Sequence, residues 1–196
     1  MPVLDHEGNL YLFHLNLAPR AFPGLWQRHI RQYQGTLDLE RLGADLGRQN
    51  FPAPLTECFI RRVCYWGNHS GIGGRVLRRN GVVEIRAAFR DALDLCGKNN
   101  VTGALSKIQS LQDLGLSFAS KHLRFLCPQK AVILDSIISS RLGYPSDVGG
   151  YSAFVADCQQ MAMILNRAEI RHETRPRARW WPCDVEMCPY AELRNL

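Results

Sequence analysis

A lysine and an aspartate fourteen residues apart are the pair best suited to chemistry in this 196-residue chain. They sit in Ser117-Phe118-Ala119-Ser120-Lys121 and in Ile133-Leu134-Asp135-Ser136. The small residues before Lys121 read as a tight turn, with Lys121 opening a short helix that Pro128 stops. Aspartate is a strong N-cap, so Asp135 heads a further helix. Both side chains can then face one cleft. An unprotonated amine attacks electrophilic carbon, and the positive end of a helix dipole favours that form. A carboxylate stabilises positive charge that develops beside it.

Other reactive residue types are present without the spacing their chemistry needs. The seven cysteines are odd in number and contain no CxxC pair, so they read as small buried hydrophobes of a reducing compartment. The six histidines form no HExxH or HxH, and no metal or cofactor is expected. Gly71-Ile72-Gly73-Gly74 lacks the GK[ST] ending of a phosphate loop, and Val76 stands where a GxGxxG frame needs its last glycine. These glycines read as a flexible turn between helices.

Apolar residues at helical spacing supply the elements that must position Lys121 and Asp135. Helices are expected around Trp26, Ile30 and Tyr33, over 55–66, over roughly 82–96 with Gly97 as its stop, and over 103–114. The longest follows Gly149-Gly150, with Tyr151, Phe154, Val155, Cys158, Met161, Ala162 and Leu165 on its apolar side. Residues 35–55, rich in glycine and proline, read as a connector, and residues 1–54 as a whole as an irregular N-terminal segment. The sum is one mainly α domain with little or no β structure. Arg167 and Arg171 suit the end of the long helix, whereas Arg175, Arg177 and Arg179 lead directly into Trp180-Trp181. Cations beside aromatic rings read as a nucleic-acid surface.

The Ser117–Lys121 turn followed by Asp135, together with Cys64-Tyr65-Trp66-Gly67-Asn68-His69 and Trp180-Trp181-Pro182-Cys183-Asp184-Val185-Glu186-Met187, resembles the helix-hairpin-helix DNA glycosylase superfamily. The likeness is to its bacterial 8-oxoguanine DNA glycosylase-like members and covers about residues 55–190. It implies that Lys121 starts the second hairpin helix and that Asp135 is the catalytic aspartate. Ser117, Ala119, Ser120 and Arg124 would then lie on the DNA backbone, and Asn68 would be the wedge that fills the gap left by a flipped base. Trp66, Trp181 and Asp184 would line the base pocket. The family's Gly-x-Gly-x-Lys hairpin is Ser-Phe-Ala-Ser-Lys here, and the spacing to the aspartate is shorter than usual.

The chemistry agrees with the resemblance. Breaking an N-glycosidic bond builds positive charge on the sugar, which Asp135 would stabilise, and an amine attacking C1′ would give a covalent imine. Asp184 could accept from an exocyclic amine such as cytosine N4. The substrate is then an oxidised purine such as 8-oxoguanine, or a hypermodified phage cytosine. The competing expectation is a non-catalytic nucleic-acid-binding module on the same scaffold.

Composition permits both. Lysine plus arginine number 24 against 18 acidic residues, for a net charge of +6, and only four of the 24 are lysines. Arginine binds phosphate through its planar fork, so the bias fits a double-stranded DNA partner. No apolar run approaches the roughly 18 residues of a membrane span, and the first seven residues lack the pattern of a signal peptide. The expectation is a cytoplasmic, nucleoid-associated monomer that makes no membrane contact.

Overall fold

The computed structural model describes residues 3–6, 10–12 and 15–193. A small antiparallel meander comes first, with strands β1 (Val3–Leu4), β2 (Leu10–Leu12) and β3 (Leu15–Leu17) in that order. Leu10 pairs with both Leu4 and Leu17, and buried Leu15 and Leu17 pin the meander to the core. Everything after it is helical: α1 (Phe22–Gln32), α2 (Thr36–Arg48), α3 (Ala53–Trp66), α4 (Ser70–Arg79), α5 (Val82–Gly97), α6 (Val101–Gln109), α7 (Leu116–Leu126), α8 (Ser136–Leu142), α9 (Val148–Arg167) and α10 (Pro182–Leu193).

The 3–4 periodicity located most of these helices. Ile85, Ala88, Phe89, Ala92 and Cys96 of α5 are all buried, as are the seven apolar residues named for α9. Asp147 caps α9 by accepting from the Gly150 amide at 2.8 Å. One apolar cluster runs from Leu15 to Leu193 and unites both ends of the chain, because α1 packs on α10. No described helix is long and apolar enough to cross a membrane.

Several expectations fail for physical reasons. Residues 1–54 are not irregular, since α1 and α2 supply buried Phe22, Trp26, Leu39 and Leu46 to the core. The glycines that made 35–55 look like a connector lie inside α2 or at its start. Gly71, Gly73 and Gly74 form α4 rather than a turn, with Gly73 and Val76 buried and Gly73 set against Arg61 and Cys64 of α3. Tertiary burial outweighs a per-residue glycine cost of about 1 kcal/mol. The helix expected over 103–114 ends at Gln109, although Leu111 and Leu114 are buried as their spacing implied.

The turn after α6 is held from outside. Asn80, buried at the end of α4, donates to the Gln112 carbonyl at 3.1 Å and accepts from its amide at 2.8 Å. Asp113, in the left-handed region at φ 68°, pairs with Arg79 at 3.3 Å and Arg75 at 3.6 Å. Lys121 therefore lies in the middle of α7 instead of opening a helix.

Gly43 of α2 is where α7 comes closest. A Cβ there would stand 2.1 Å from the Phe125 carbonyl oxygen, whereas one at Gly24 of α1 would meet nothing within 4 Å. Gly43→Ala should destabilise the protein by about 1–3 kcal/mol or more, or about 2–4 °C in Tm per kcal/mol. Gly24→Ala should leave Tm unchanged or raise it. Calorimetry of the two variants checks this, and equal melting points would refute the close approach.

Candidate active site

α7 and the extended segment 131–135 form one side of a cleft, and the ends of α1, α3 and α10 form the other. Ser120 joins the first two. Its hydroxyl donates to the Ser117 carbonyl at 2.9 Å and accepts from the Leu134 amide at 3.2 Å. Ala131 to Leu134 are buried, which drags Asp135 to the cleft as the chain enters α8. There one Asp135 oxygen accepts from the amides of Ile137 and Ile138, both at 3.1 Å, so the expected N-cap is present.

The other oxygen faces Lys121. Nζ and Oδ2 are 3.5 Å apart, and the side chains are 8% and 14% exposed. Lys121 Nζ also donates to Ser117 Oγ at 2.9 Å and lies 5.2 Å from the centre of the Phe118 ring. Burial pulls the Lys121 pKa below its ordinary value, even though Asp135 and Glu186 act in the opposite direction. The cause of the lowering is therefore desolvation and not a helix N-terminus.

Gly67, just past α3, makes room for this arrangement. A Cβ on it would stand 2.9 Å from the Phe118 ring and 3.2 Å from Lys121 Cδ. The cleft has a volume of about 410 Å³ and is walled by Tyr33, Trp66, Phe118 and Tyr190. Trp66 is held by donating to Thr36 Oγ1 at 3.0 Å, and the Tyr33 and Tyr190 hydroxyls meet at 3.1 Å. Asn68, exposed and at φ 60°, sits on the rim. Lys121, Asp135, Ser117, Asn68 and Trp66 are thus brought together as the sequence suggested.

The remaining candidates are elsewhere. Ala119 and Ser120 are fully buried and present nothing to a phosphate. Arg124, 1% exposed, lies with Nη1 2.7 Å from Glu40 Oε1, an ion pair off-angle for a hydrogen bond. Arg175 is not a surface cation either. It binds Glu40 through Nη1 (2.5 Å) and Nη2 (2.9 Å) and Asp184 through Nε (3.0 Å) and Nη2 (2.5 Å). Its guanidinium stacks on Trp181 at 4.3 Å.

Asp184 is fully buried in that network and also caps α10 by accepting from the Trp181 amide. Trp181 lines a separate depression with Glu40 and Arg41, so neither residue reaches the cleft. Arg177 and Arg179 are exposed, but they border a third depression that shares no residue with the cleft. Arg171 lies past the end of α9.

Four features were given no role by the sequence reading. Tyr33, Tyr190 and His29 come from the two ends of the chain, which only the α1–α10 contact unites. Burial, aided by Arg124, depresses the His29 pKa to about 3, so the ring is neutral. Glu186 lines the cleft from α10 at 2% exposure. Its signal was legible: two acids, Asp184 and Glu186, stand two apart in an apolar helix. At 100° per residue they point to opposite sides, so only one can reach the site.

The fourth is a basic face. Arg61, Arg62, Arg75, Arg78 and Arg79 are exposed on α3 and α4, as is Tyr65 at 78%, with Arg75 and Arg79 paired to Asp113. Arg62 and Tyr65 line a depression that shares Tyr33, Trp66 and Asn68 with the cleft. No family model, curated protein or solved structure matches this chain.

The Glu40 network generates a stability prediction. Burial pushes the Glu40 carboxyl up, but Arg124 and Arg175 together outweigh it and hold the group below its ordinary 4.5. A carboxylate with a depressed folded pKa stabilises fully above its unfolded value and loses that contribution as pH falls through the folded one. Glu40→Ala should cost about 3–5 kcal/mol at neutral pH, because two guanidiniums stay buried against one carboxylate. Glu40→Gln should flatten the loss of stability below pH 4.5. Urea midpoints measured against pH test both, and wild-type midpoints at pH 7 would exclude this role for Glu40.

Proposed function

We propose that the protein is a DNA glycosylase that draws a modified base into the aromatic cleft and cuts its N-glycosidic bond. The supporting observation is the Lys121–Asp135 pair, 3.5 Å apart and nearly buried, where four aromatic rings can hold a flat ligand. Enzymes acting on a base must extrude it from the stack and grip it by stacking. Asp135, fixed by two amides, can stabilise the sugar cation with its free oxygen. Lys121, driven toward neutrality, is suited to attack C1′.

The basic face of α3 and α4 supplies the duplex contact on this reading. Asn68 and Tyr65 lie between that face and the cleft, where a displaced base leaves a gap to fill. The Ser117–Lys121 segment read as the hairpin turn is helical, so on this reading α6, the turn 111–115 and α7 would have to serve as the hairpin, with Lys121 inside its second helix. The substrate is an oxidised purine such as 8-oxoguanine, or a glucosylated hydroxymethylcytosine of phage DNA. The activity accordingly serves repair or defence.

Mass spectrometry of bases released from duplexes of both kinds tests the proposal. Asparagine caps as well as aspartate, so Asp135→Asn should fold normally while excision drops about 10²–10³-fold. Undiminished release by that variant removes Asp135 from the mechanism. Borohydride should trap a protein–DNA adduct that Lys121→Gln abolishes and that substitutions of Lys107 and Lys130 leave intact. An adduct persisting in Lys121→Gln would relocate the nucleophile.

Affinity for duplex should also fall with salt, by roughly 0.9 in log–log slope per phosphate contacted. Arg62→Ala should lower that slope by about one contact. A slope unchanged by Arg62→Ala, Arg75→Ala and Arg78→Ala would move the interface off α3 and α4.

A further inference from the structure

Glu186 is the one acidic side chain of the cleft with an idle oxygen. It is 2% exposed, and the Ile133 amide holds its carboxyl, yet Oε2 has no hydrogen-bond partner. A buried polar atom without a partner is costly. The cost is offset if a ligand supplies the partner, and the cavity beside it is the one that holds Lys121 and Asp135. Neither capping nor packing explains an acid at this place, because Asp184 already serves α10.

We propose that Glu186 is the acid that hands a proton to the departing base, an inference that rests on the glycosylase reading above. As the C1′–N bond breaks, its electron pair goes to the base. The proton on Glu186 Oε2 moves to an acceptor atom of that base, a ring nitrogen or a carbonyl oxygen. Water gives hydroxide to C1′, and its remaining proton restores the carboxyl through solvent. Where the Lys121 amine adds to C1′ instead, the same proton leaves with the base and the amine sheds one of its own to solvent. The substrate class this favours is a base that departs poorly as an anion.

The groups around Glu186 suit an acid. Burial raises its pKa to about 8, Asp135 adds to the rise, and Arg124 and Lys121 oppose it. From α9 and α10 the thiols of Cys158 and Cys188 face it, both driven well above their ordinary value by burial. His29 on α1 is neutral. The carboxyl therefore carries its proton at neutral pH and loses it as pH passes about 8.

Glutamine reproduces the donor and acceptor of a protonated carboxyl but cannot give up a proton. Glu186→Gln should therefore bind a duplex with 8-oxoguanine or glucosylated hydroxymethylcytosine within about threefold of wild type. Its single-turnover excision should fall about 100-fold or more, and the alkaline limb of the wild-type pH profile should vanish. A variant that excises at the wild-type rate with the limb intact overturns the acid role while leaving the glycosylase reading in place. If the wild type releases no base from either DNA, the glycosylase reading fails and the acid role with it. Should Glu186→Gln not fold, the wild-type profile decides: a decline through about pH 8 supports the proposal, and a rate flat from neutral to alkaline pH overturns it.

Discussion

Two guanidiniums and two carboxylates buried against each other hold this molecule together. Arg124 is the largest fully buried side chain, and its charge is tolerable only because Glu40 stands 2.7 Å away. Arg175 then bridges Glu40 to Asp184, so α2, α7, the segment before α10 and α10 itself meet at one point. Such a cluster adds little net stability over apolar packing, but it punishes any other arrangement, because a shifted helix would strand a buried charge. Register of α7 against α10 follows from it. Lys121 lies one turn from Arg124, and Glu186 two residues from Asp184, so the same cluster sets where the two cleft groups stand.

The field of that cluster reaches the cleft as well. Arg124 helps keep His29 neutral, and it opposes the burial that raises Glu186. A structural cation thus tempers the pKa rise of a group it does not touch through any hydrogen bond. The same side chain looks, in sequence, like a phosphate ligand next to Lys121.

How much was legible follows from the range of each interaction. Helical spacing within one segment is a local signal, and it located α3, α5 and α9 to within a few residues. The Asp135 cap is local too. The cation–aromatic cluster at 175–181 misled because an arginine run has the same appearance whether it faces water or buried carboxylates. Glu40, 135 residues away from Arg175, decides which. The glycines of α4 misled in the opposite way, since their lack of side chains reads as flexibility until α3 is laid against them. Tyr33 and Tyr190 could not have been paired from sequence, since 157 residues separate them.

The proton inventory of the cleft connects these points to chemistry. Lys121 and Glu186 share a volume in which charge is expensive, and burial lowers the pKa of the amine while raising that of the carboxyl. Two backbone amides fix one Asp135 oxygen at the start of α8. The Asp135 oxygen not used for capping faces Lys121 across 3.5 Å in the same cleft. Any cover that excluded more water from the cleft would push Lys121 and Glu186 further, each in its own direction. Burial, rather than any single hydrogen bond, is the largest cause of both shifts.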